Sequence, residues 1–200
     1  AHMRQGTDTK EKILQTALVA FSRYGYEGAR MEKIASEIGI NKASMYFHFS
    51  SKEEIFRVLF DRIIEKYEKS LAIMLENDEG ATVRERLIHF YREYLIYHWQ
   101  NPEMDFWNLV YYLPPESMKT EILDATAKSK SVLIAWLSDI LTEGVLTGEL
   151  QKLPIEGMAM SFYYLLTCIS MSTEIMDKEK YISSMDDCFA IFWNGIRADK

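Results

Sequence analysis

Residues 31–49, MEKIASEIGINKASMYFHF, decide the fold, because their spacing is that of a helix-turn-helix. We predict a first helix that ends at Ile38 and a second helix that begins at Lys42. Gly39 can adopt the positive φ that a tight turn between two helices needs. Asn41 is a good N-cap for the second helix, because its side chain can accept a hydrogen bond from the first turn. The stretch therefore predicts two short helices joined by a tight turn.

The predicted helix pair has an apolar inner face and a polar outer face. The apolar residues that would hold the two helices at a fixed angle are Ile34, Ile38, Ile40 and Met45. The second helix offers small or hydrogen-bonding side chains on or near its outer face, and such side chains suit DNA. These side chains are Lys42, Ala43, Ser44, Tyr46 and His48. An ordinary helical hairpin would share the small Ala35 and the glycine of the turn, so the flanking residues decide between the two interpretations.

The residues on both sides carry a family resemblance. Upstream lie Ile13, Ala17, Phe21 and the run Tyr24-Gly25-Tyr26, and downstream lies the run YFHFSSKEEI from Tyr46 to Ile55. Together with the helix-turn-helix spacing, they resemble the N-terminal domain of the tetracycline-repressor (TetR) family of bacterial transcriptional regulators. The resemblance implies an all-α fold, in which an N-terminal three-helix domain binds DNA and the later helices form a ligand-binding and dimerisation domain.

The resemblance implies a DNA-binding domain at residues 8–54 and a helical effector-binding and dimerisation domain at residues 55–200. The residues expected at the DNA are Arg30, Lys33, Lys42, Ala43, Ser44, Tyr46, His48 and Lys52. Two positions depart from the family pattern. Ala29 stands where a capping hydroxyl residue is usual, so that Arg30 would supply the phosphate contact. Ala43 stands where glycine is common, and its methyl group could pack against a thymine methyl.

The charge is unevenly distributed along the chain, whose net charge is −7. Residues 1–56 hold eight lysines and arginines against seven acidic residues, while the rest of the chain is strongly acidic. The acidic charge thus lies away from the expected DNA face. Because the first segment is only weakly basic, DNA affinity must come from local placement of cations and from dimerisation.

The hydrophobic pattern is helical throughout. Outside the helix-turn-helix, helices are predicted at residues 10–24, from 51 to a loop near 77–80, and at 81–99, 102–112, 115–147, 155–176 and 178–198. Ser51 and Glu54 form a candidate capping box at the start of the fourth helix. Residues 157–173 lack charge and nearly reach the length of a membrane span. Their serines and threonines, and the absence of basic flanks, favour a helix buried at a dimer interface.

The last two predicted helices are the candidate dimer interface, with intrachain core packing as the alternative. The interface residues expected are Phe162, Met185, Phe189, Phe192 and Ile196. Aromatic side chains are plentiful after the DNA-binding domain, and as a set they suggest an apolar cavity with a few phenol or imidazole tips. Such a cavity suits a small hydrophobic or aromatic effector, and a lipophilic cation is the alternative because this domain is acidic. The candidate pocket residues are Phe90, Tyr94, His98, Trp107, Tyr111, Trp136 and Phe162.

Enzyme and metal motifs are absent from the sequence. There is no nucleophile elbow, no phosphate-binding loop, no dinucleotide fingerprint and no spacing of histidine and cysteine typical of a metal site. Cys168 and Cys188 are expected to be reduced, since the polar start of the chain does not resemble an export signal. Together with these absences, the resemblance to the TetR family implies a cytoplasmic, homodimeric repressor that needs no cofactor or metal and binds double-stranded operator DNA and a small effector, without contact with a membrane. The alternative is an activator, or a regulator whose C-terminal domain binds a protein partner.

Overall fold

The computed structural model describes residues 2–76, 81–172 and 176–199. Within these ranges the secondary structure is helical and contains no β-strand, which confirms the all-α prediction. A 3-10 turn, Glu116–Met118, directly precedes the seventh α-helix. The α-helices are α1 His2–Gly28, α2 Met31–Glu37, α3 Lys42–His48, α4 Lys52–Met74, α5 Val83–Gln100, α6 Glu103–Tyr112, α7 Lys119–Thr147, α8 Ile155–Ser170 and α9 Lys178–Ile196.

Two glycines with positive φ directly follow residues 24 and 147, where the sequence predicts that helices end. At Gly25 the path of α1 is broken by a φ of 69° and a ψ of 176°, a conformation that glycine adopts without steric cost. Gly148, with a φ of 78°, follows the last residue of α7. The predicted start of the first helix at residue 10 is wrong, because α1 begins at His2. The polar residues before position 10 have no apolar stripe that would have revealed them as helical.

The remaining boundaries agree with the predictions to within a few residues at most ends. α5 begins at Val83 with a complete capping box, in which the Glu85 backbone N–H donates to the Thr82 hydroxyl and the Glu85 carboxylate accepts from the Thr82 N–H. α8 ends at Ser170 rather than at residue 176. The predicted loop at residues 77–80 lies outside the described residues. None of the described helices combines the length and the apolar character that crossing a membrane would require.

The chain folds into two compact units. The first, here called the DNA unit, contains the residues up to Tyr67 together with Pro102–Ala125, and the second, here called the core unit, contains Glu68–Asn101 and the chain from Thr126 onward. The predicted boundary at residues 54 and 55 therefore does not coincide with the division by packing. Helix α6, which the sequence assigns to the effector domain, is part of the DNA unit.

An aromatic cluster explains why α6 belongs to the DNA unit. The ring of Phe56 on α4 lies 5.2 Å from that of Phe21 on α1 and 5.1 Å from that of Phe106 on α6, measured between ring centroids. All three side chains are almost completely buried. Burying a phenylalanine side chain contributes roughly 1.5–3 kcal/mol, so this cluster fastens α6 firmly to the first helices.

The core unit is organised around Tyr91 of α5. Its ring packs 5.8 Å from that of Phe162 on α8 and 5.3 Å from that of Phe189 on α9. Its hydroxyl donates a 2.9 Å hydrogen bond to the backbone oxygen of Met185. Burial raises the pKa of the Tyr91 phenol, so it remains a protonated donor at neutral pH. One side chain thus joins α5, α8 and α9.

Candidate functional site

The helix-turn-helix is formed as the sequence predicts. Ile34 and Ala35 of α2 and Met45 of α3 are buried, and the two helices pack against each other. Gly39 in the turn has a φ of 74°. The Asn41 side chain accepts a hydrogen bond from the Ser44 backbone N–H over 2.8 Å, which confirms the predicted N-cap of α3. The short recognition helix is therefore held in place by its buried side and by its first turn.

The beginning of α2 lacks a side-chain cap, as expected from the absence of a hydroxyl residue at this point. Arg30 occupies the N-cap position in an extended conformation and makes no capping hydrogen bond. The preceding residue, Ala29, is buried, whereas the Arg30 side chain is exposed. The Lys33 backbone N–H donates to the Arg30 backbone oxygen over 3.0 Å, and the Glu32 carboxylate lies at its own backbone N–H. The exposed Arg30 guanidinium is therefore the group at the start of α2 that can receive a phosphate.

The outer face of α3 is accessible over its whole length. Lys42, Ala43 and Tyr46 are exposed, while Ser44 and His48 are partly exposed. The remaining predicted contacts, Arg30 and Lys33, are exposed on or beside α2. The structure thus leaves each of these predicted DNA contacts at least partly accessible.

Phe47 is an exposed residue of α3 that the sequence analysis did not name. Its side chain is 86% exposed, the largest exposure among the large hydrophobic residues described. Exposed aromatic side chains are costly to leave in water and often mark a binding surface. The helical spacing could have revealed it, since Phe47 follows Ala43 by four residues and therefore lies on the same outer face of α3.

An ion pair on this surface involves one of the predicted cations. The Lys42 ammonium lies 2.6 Å from the Glu32 carboxylate of α2, and both side chains are more than half exposed. Their hydrogen bond lowers the pKa of Glu32 and raises the pKa of Lys42, so both groups are charged at neutral pH. In the protein without DNA, Lys42 is therefore already neutralised by a neighbour.

Lys52 is the predicted contact whose ammonium is engaged within the chain. Its Nζ donates a 2.7 Å hydrogen bond to the backbone oxygen of Tyr26 and lies 4.2 Å from the centre of the Tyr26 ring. This contact ties the start of α4 to the end of α1. Lys52 therefore positions the helices around the recognition helix, whether or not it also meets a phosphate.

The start of α4 is capped by two serines rather than by one. The Ser51 hydroxyl accepts a 3.0 Å hydrogen bond from the Glu54 backbone N–H, which is one half of the predicted capping box. The Glu54 carboxylate instead accepts from the backbone N–H and the hydroxyl of Ser50, at 2.6 and 2.7 Å. These hydrogen bonds lower the pKa of Glu54, so its charge persists well below neutral pH.

Five of the seven candidate pocket residues lie in the core unit. The Phe90 ring lies 4.8 Å from that of Trp136, 5.7 Å from that of Tyr94 and 6.4 Å from that of Phe162, and the Tyr94 ring lies 4.5 Å from that of His98. Four of them are buried, and Trp136 is partly buried. They form a continuous aromatic interior between α5, α7 and α8.

The other two candidate pocket residues lie in the DNA unit. Trp107 of α6 stacks on two side chains of α4, at 6.0 Å from the ring of Phe60 and 5.7 Å from the ring of Tyr67. Tyr111 is exposed, and its ring contacts that of Tyr112 edge to face. Both side chains thus have packing roles of their own in the unit that carries the helix-turn-helix.

The aromatic interior of the core unit contains polar groups but no buried charge among the described residues. Burial lowers the pKa of His98 to about 3, so its imidazole is neutral at physiological pH. Within the described residues, the indole Nε1 of Trp136 and the hydroxyl of Ser129 are buried without a hydrogen-bond partner. Both lie on α7, two helical turns apart on the same face. Buried donors of this kind normally have a partner, so they can receive an acceptor group of a ligand.

Most of the candidate interface residues are already buried within a single protomer. Phe162, Met185, Phe189 and Ile196 are buried, whereas Phe192 is partly exposed and packs 5.2 Å from the ring of Phe162. The same two helices also carry large apolar residues that are exposed. Those on α8 and α9 are Tyr164, Ile182 and Ile191.

The helix-turn-helix and the residues on both sides of it are similar to those of known regulators. Residues 13–59 match the family described as bacterial regulatory proteins, tetR family. The biofilm operon icaADBC HTH-type negative transcriptional regulator IcaR of Staphylococcus epidermidis is 44% identical over 48 residues, which are 24% of this chain and 26% of that protein. IcaR of Staphylococcus aureus strain Newman is 32% identical over 90 residues, 43% of this chain and 45% of that protein. The aligned segments thus cover less than half of the length of these curated relatives.

Solved structures are similar to the chain over nearly its whole length. A TetR transcriptional regulator from Chloroflexus aurantiacus has a TM-score of 0.69 at 17% identity and covers 98% of this chain and 100% of its own. AibR, in complex with isovaleryl coenzyme A and operator DNA, has a TM-score of 0.67 at 18% identity and covers 91% and 96%. At these identities, the likeness establishes the fold of the chain.

Proposed function

We propose that the chain is a homodimeric transcriptional repressor that is released by a small effector, because residues 13–59 match the family of bacterial regulatory proteins, tetR family. The accessible outer face of α3 carries the proposal, since it presents a hydroxyl, a cation and an aromatic surface on a helix that is capped and packed from behind. Repression is supported by the curated relatives, which are negative regulators. Such a protein acts on promoter DNA in the cytoplasm, without enzymatic activity and without a cofactor.

The DNA contacts follow from the position of each side chain. α3 would enter the major groove, where Tyr46 and Ser44 donate hydrogen bonds and Phe47 and Ala43 contact thymine methyl groups or sugars. Lys42 would exchange Glu32 for a phosphate. Two such heads in a dimer would reach successive major grooves about 34 Å apart on a pseudo-palindromic operator. The phosphate contacts would come from Arg30 and Lys33 at α2 and from His48 at the end of α3.

The effector would bind in the aromatic interior of the core unit. Its body is hydrophobic or aromatic, because Phe90, Tyr94 and Phe162 offer apolar surfaces and His98 is neutral. It also carries a hydrogen-bond acceptor such as a carbonyl oxygen, which would satisfy the buried N–H of Trp136. A fully charged group would find no counter-ion among the described residues of this interior, so the buried part of the effector is uncharged.

The signal would reach the DNA through the helices that both units share. The chain passes between the units at residues 67–68, 101–102 and 125–126, and the first and last of these points lie inside the continuous helices α4 and α7. In the DNA unit, Arg57 of α4 forms an ion pair with Glu121 of α7. An effector that binds more tightly to a conformation unable to hold operator DNA would shift the population towards that conformation.

Selection of bound genomic fragments by the full chain tests the proposal. Promoter fragments should be enriched, and Tyr46→Ala should weaken binding to them by about 1–3 kcal/mol for each base that Tyr46 no longer reaches. Tyr112→Ala, which removes a tyrosine of similar exposure outside the helix-turn-helix, should leave binding unchanged. Equal binding by both variants would show that α3 does not contact bases in the major groove.

Transcription from a selected promoter then distinguishes the repressor from its alternatives. Addition of the protein should lower transcript yield from purified polymerase. Higher yield would indicate the activator, and an effect that requires a second protein would indicate a regulator whose C-terminal domain binds a protein partner.

A further inference from the structure

A groove in the core unit lies apart from the aromatic interior described above. It encloses about 480 Å³ between the C-terminal end of α5 and the N-terminal end of α9, a volume within the range of small-molecule sites. The residues that line it are Ile96, Trp99, Gln100, Lys178, Tyr181, Ile182 and Met185. Its chemistry is therefore apolar and aromatic, with one amide and one cation.

The floor of the groove is fixed by buried groups. Tyr181 is buried, and its hydroxyl donates a 3.2 Å hydrogen bond to the backbone oxygen of Leu95. Met185 is also buried, and its backbone oxygen accepts from the Tyr91 hydroxyl. Because these hydrogen bonds hold α9 against α5 from below, the floor does not need a ligand in order to form.

The walls are apolar surfaces that face solvent. The Trp99 ring lies 4.8 Å from the Tyr181 ring at an angle of 38°, so it leans over the floor from the α5 side. Ile96 and Ile182 are both exposed, although each is a large aliphatic side chain. Covering such surfaces with an apolar ligand is favourable by roughly 25 cal/mol per Å² removed from water.

The charge on the lining is positive. Lys178 forms no ion pair within the described residues, and no acidic side chain is among those that line the groove. The neighbouring acid Asp177 is engaged elsewhere, since it caps α9 through the Lys180 backbone N–H at 2.9 Å and pairs with the Lys180 ammonium at 3.5 Å. One rim of the apolar groove thus offers an ammonium group that no carboxylate of the described chain neutralises.

We propose that this groove binds an amphipathic organic anion, a carboxylate with an apolar body. The body lies on Trp99 and Tyr181 between the two isoleucines, and the carboxylate lies at the rim, where it accepts hydrogen bonds from Lys178 and from the Gln100 amide. The site is distinct from the aromatic interior, whose described residues carry no charge and suit a neutral ligand. The groove and the proposed effector site in the interior would therefore take ligands of different chemistry.

Nuclear magnetic resonance of the full chain with labelled tryptophan indoles tests this assignment. Decanoate is the probe and decan-1-ol its uncharged counterpart, and Trp99→Phe identifies the Trp99 resonance. Decanoate should shift that resonance saturably, and Lys178→Gln should weaken its binding about tenfold, as expected for a hydrogen bond to a charged group. Lys152→Gln, which removes an exposed lysine of the core unit outside the groove, should change nothing. Ile182→Phe, which partly fills the groove at an exposed position, should weaken both probes.

Three results would overturn the proposal. One is a saturable shift at Trp136 without a shift at Trp99, which would place decanoate in the aromatic interior. Another is an unchanged decanoate affinity in Lys178→Gln. The third is a Trp99 shift that follows protein concentration instead of decanoate, because the groove would then bind a second copy of the chain. The measurement uses no DNA, so its outcome is independent of the proposed repressor function.

Discussion

The ion pair on the DNA-binding surface makes a quantitative prediction about salt dependence. Lys42 is neutralised by Glu32 in the free protein, and we expect it to exchange this carboxylate for a phosphate in the complex. Each phosphate neutralised contributes about 0.9 to the slope of log affinity against log salt concentration. Lys42→Gln should therefore reduce the slope by about 1.8 for a dimer with two heads on the DNA. Between roughly 50 and 200 mM salt, the fold-loss of affinity in the variant should be about twelve times smaller than the fold-loss in the unmodified protein.

Random-sequence duplex DNA is sufficient for this assay, because phosphate contacts do not depend on sequence. Binding would be followed by fluorescence anisotropy at a series of salt concentrations. Lys152→Gln is the matched control, since it removes an exposed lysine in the core unit. Glu32→Gln should tighten binding at low salt, because it removes a carboxylate that stands beside the phosphates and competes for Lys42. A slope in Lys42→Gln equal to that of the control would show that Lys42 does not meet a phosphate, and would refute the exchange.

Three further predictions concern the recognition helix, the core unit and the dimer. Asn41→Ala should lower the free energy of unfolding in urea by about 1 kcal/mol, whereas Asn41→Ser should retain most of it; equal losses would exclude the cap as the cause. Burial lowers the pKa of His98 to about 3, so on acidification this imidazole takes up a proton in the unfolded chain before it does so in the folded protein. The free energy of unfolding should therefore fall by about 1.4 kcal/mol per pH unit as the pH drops below about 6. His98→Phe should reduce the slope of stability against pH by that amount, and an unchanged slope would contradict it. Ile191→Glu should dissociate the dimer in sedimentation experiments while Ile73→Glu, similarly exposed on α4, leaves it intact; two dimers of equal strength would place the interface elsewhere.

The helix-turn-helix could be predicted from sequence because the signals that form it are local. The positive φ of Gly39, the cap at Asn41 and the buried Ile34 all act within about ten residues of one another. The same holds for the break at Gly25. Such features depend on backbone conformation and on hydrogen bonds to near neighbours, and a single sequence contains both.

The packing partners of the later helices could not be predicted in the same way. Helical periodicity shows that Phe106 and Trp107 lie on an apolar helix, but it does not show which helix covers them. Phe106 packs against Phe21, far away in sequence, and Trp107 stacks on Tyr67 instead of lining a pocket with the other candidates. The pair of Lys42 with Glu32 was missed for a related reason, since it joins two helices across the turn rather than two positions on one helix.

The position of α6 limits how effector binding could reach the DNA. Phe106 holds α6 in a close-packed cluster with Phe21 and Phe56, and packed interiors of this kind shift between discrete arrangements instead of deforming smoothly. Any displacement transmitted to α6 must therefore either carry α1 and α4 with it or break the cluster. If α1 and α4 move together with α6, the recognition helix moves as part of a rigid unit. Only this movement preserves the DNA-binding surface while changing its position. Variants that bind operator DNA but ignore the effector should accordingly arise where the chain passes between the units, near residues 67–68, 101–102 and 125–126, rather than on α3.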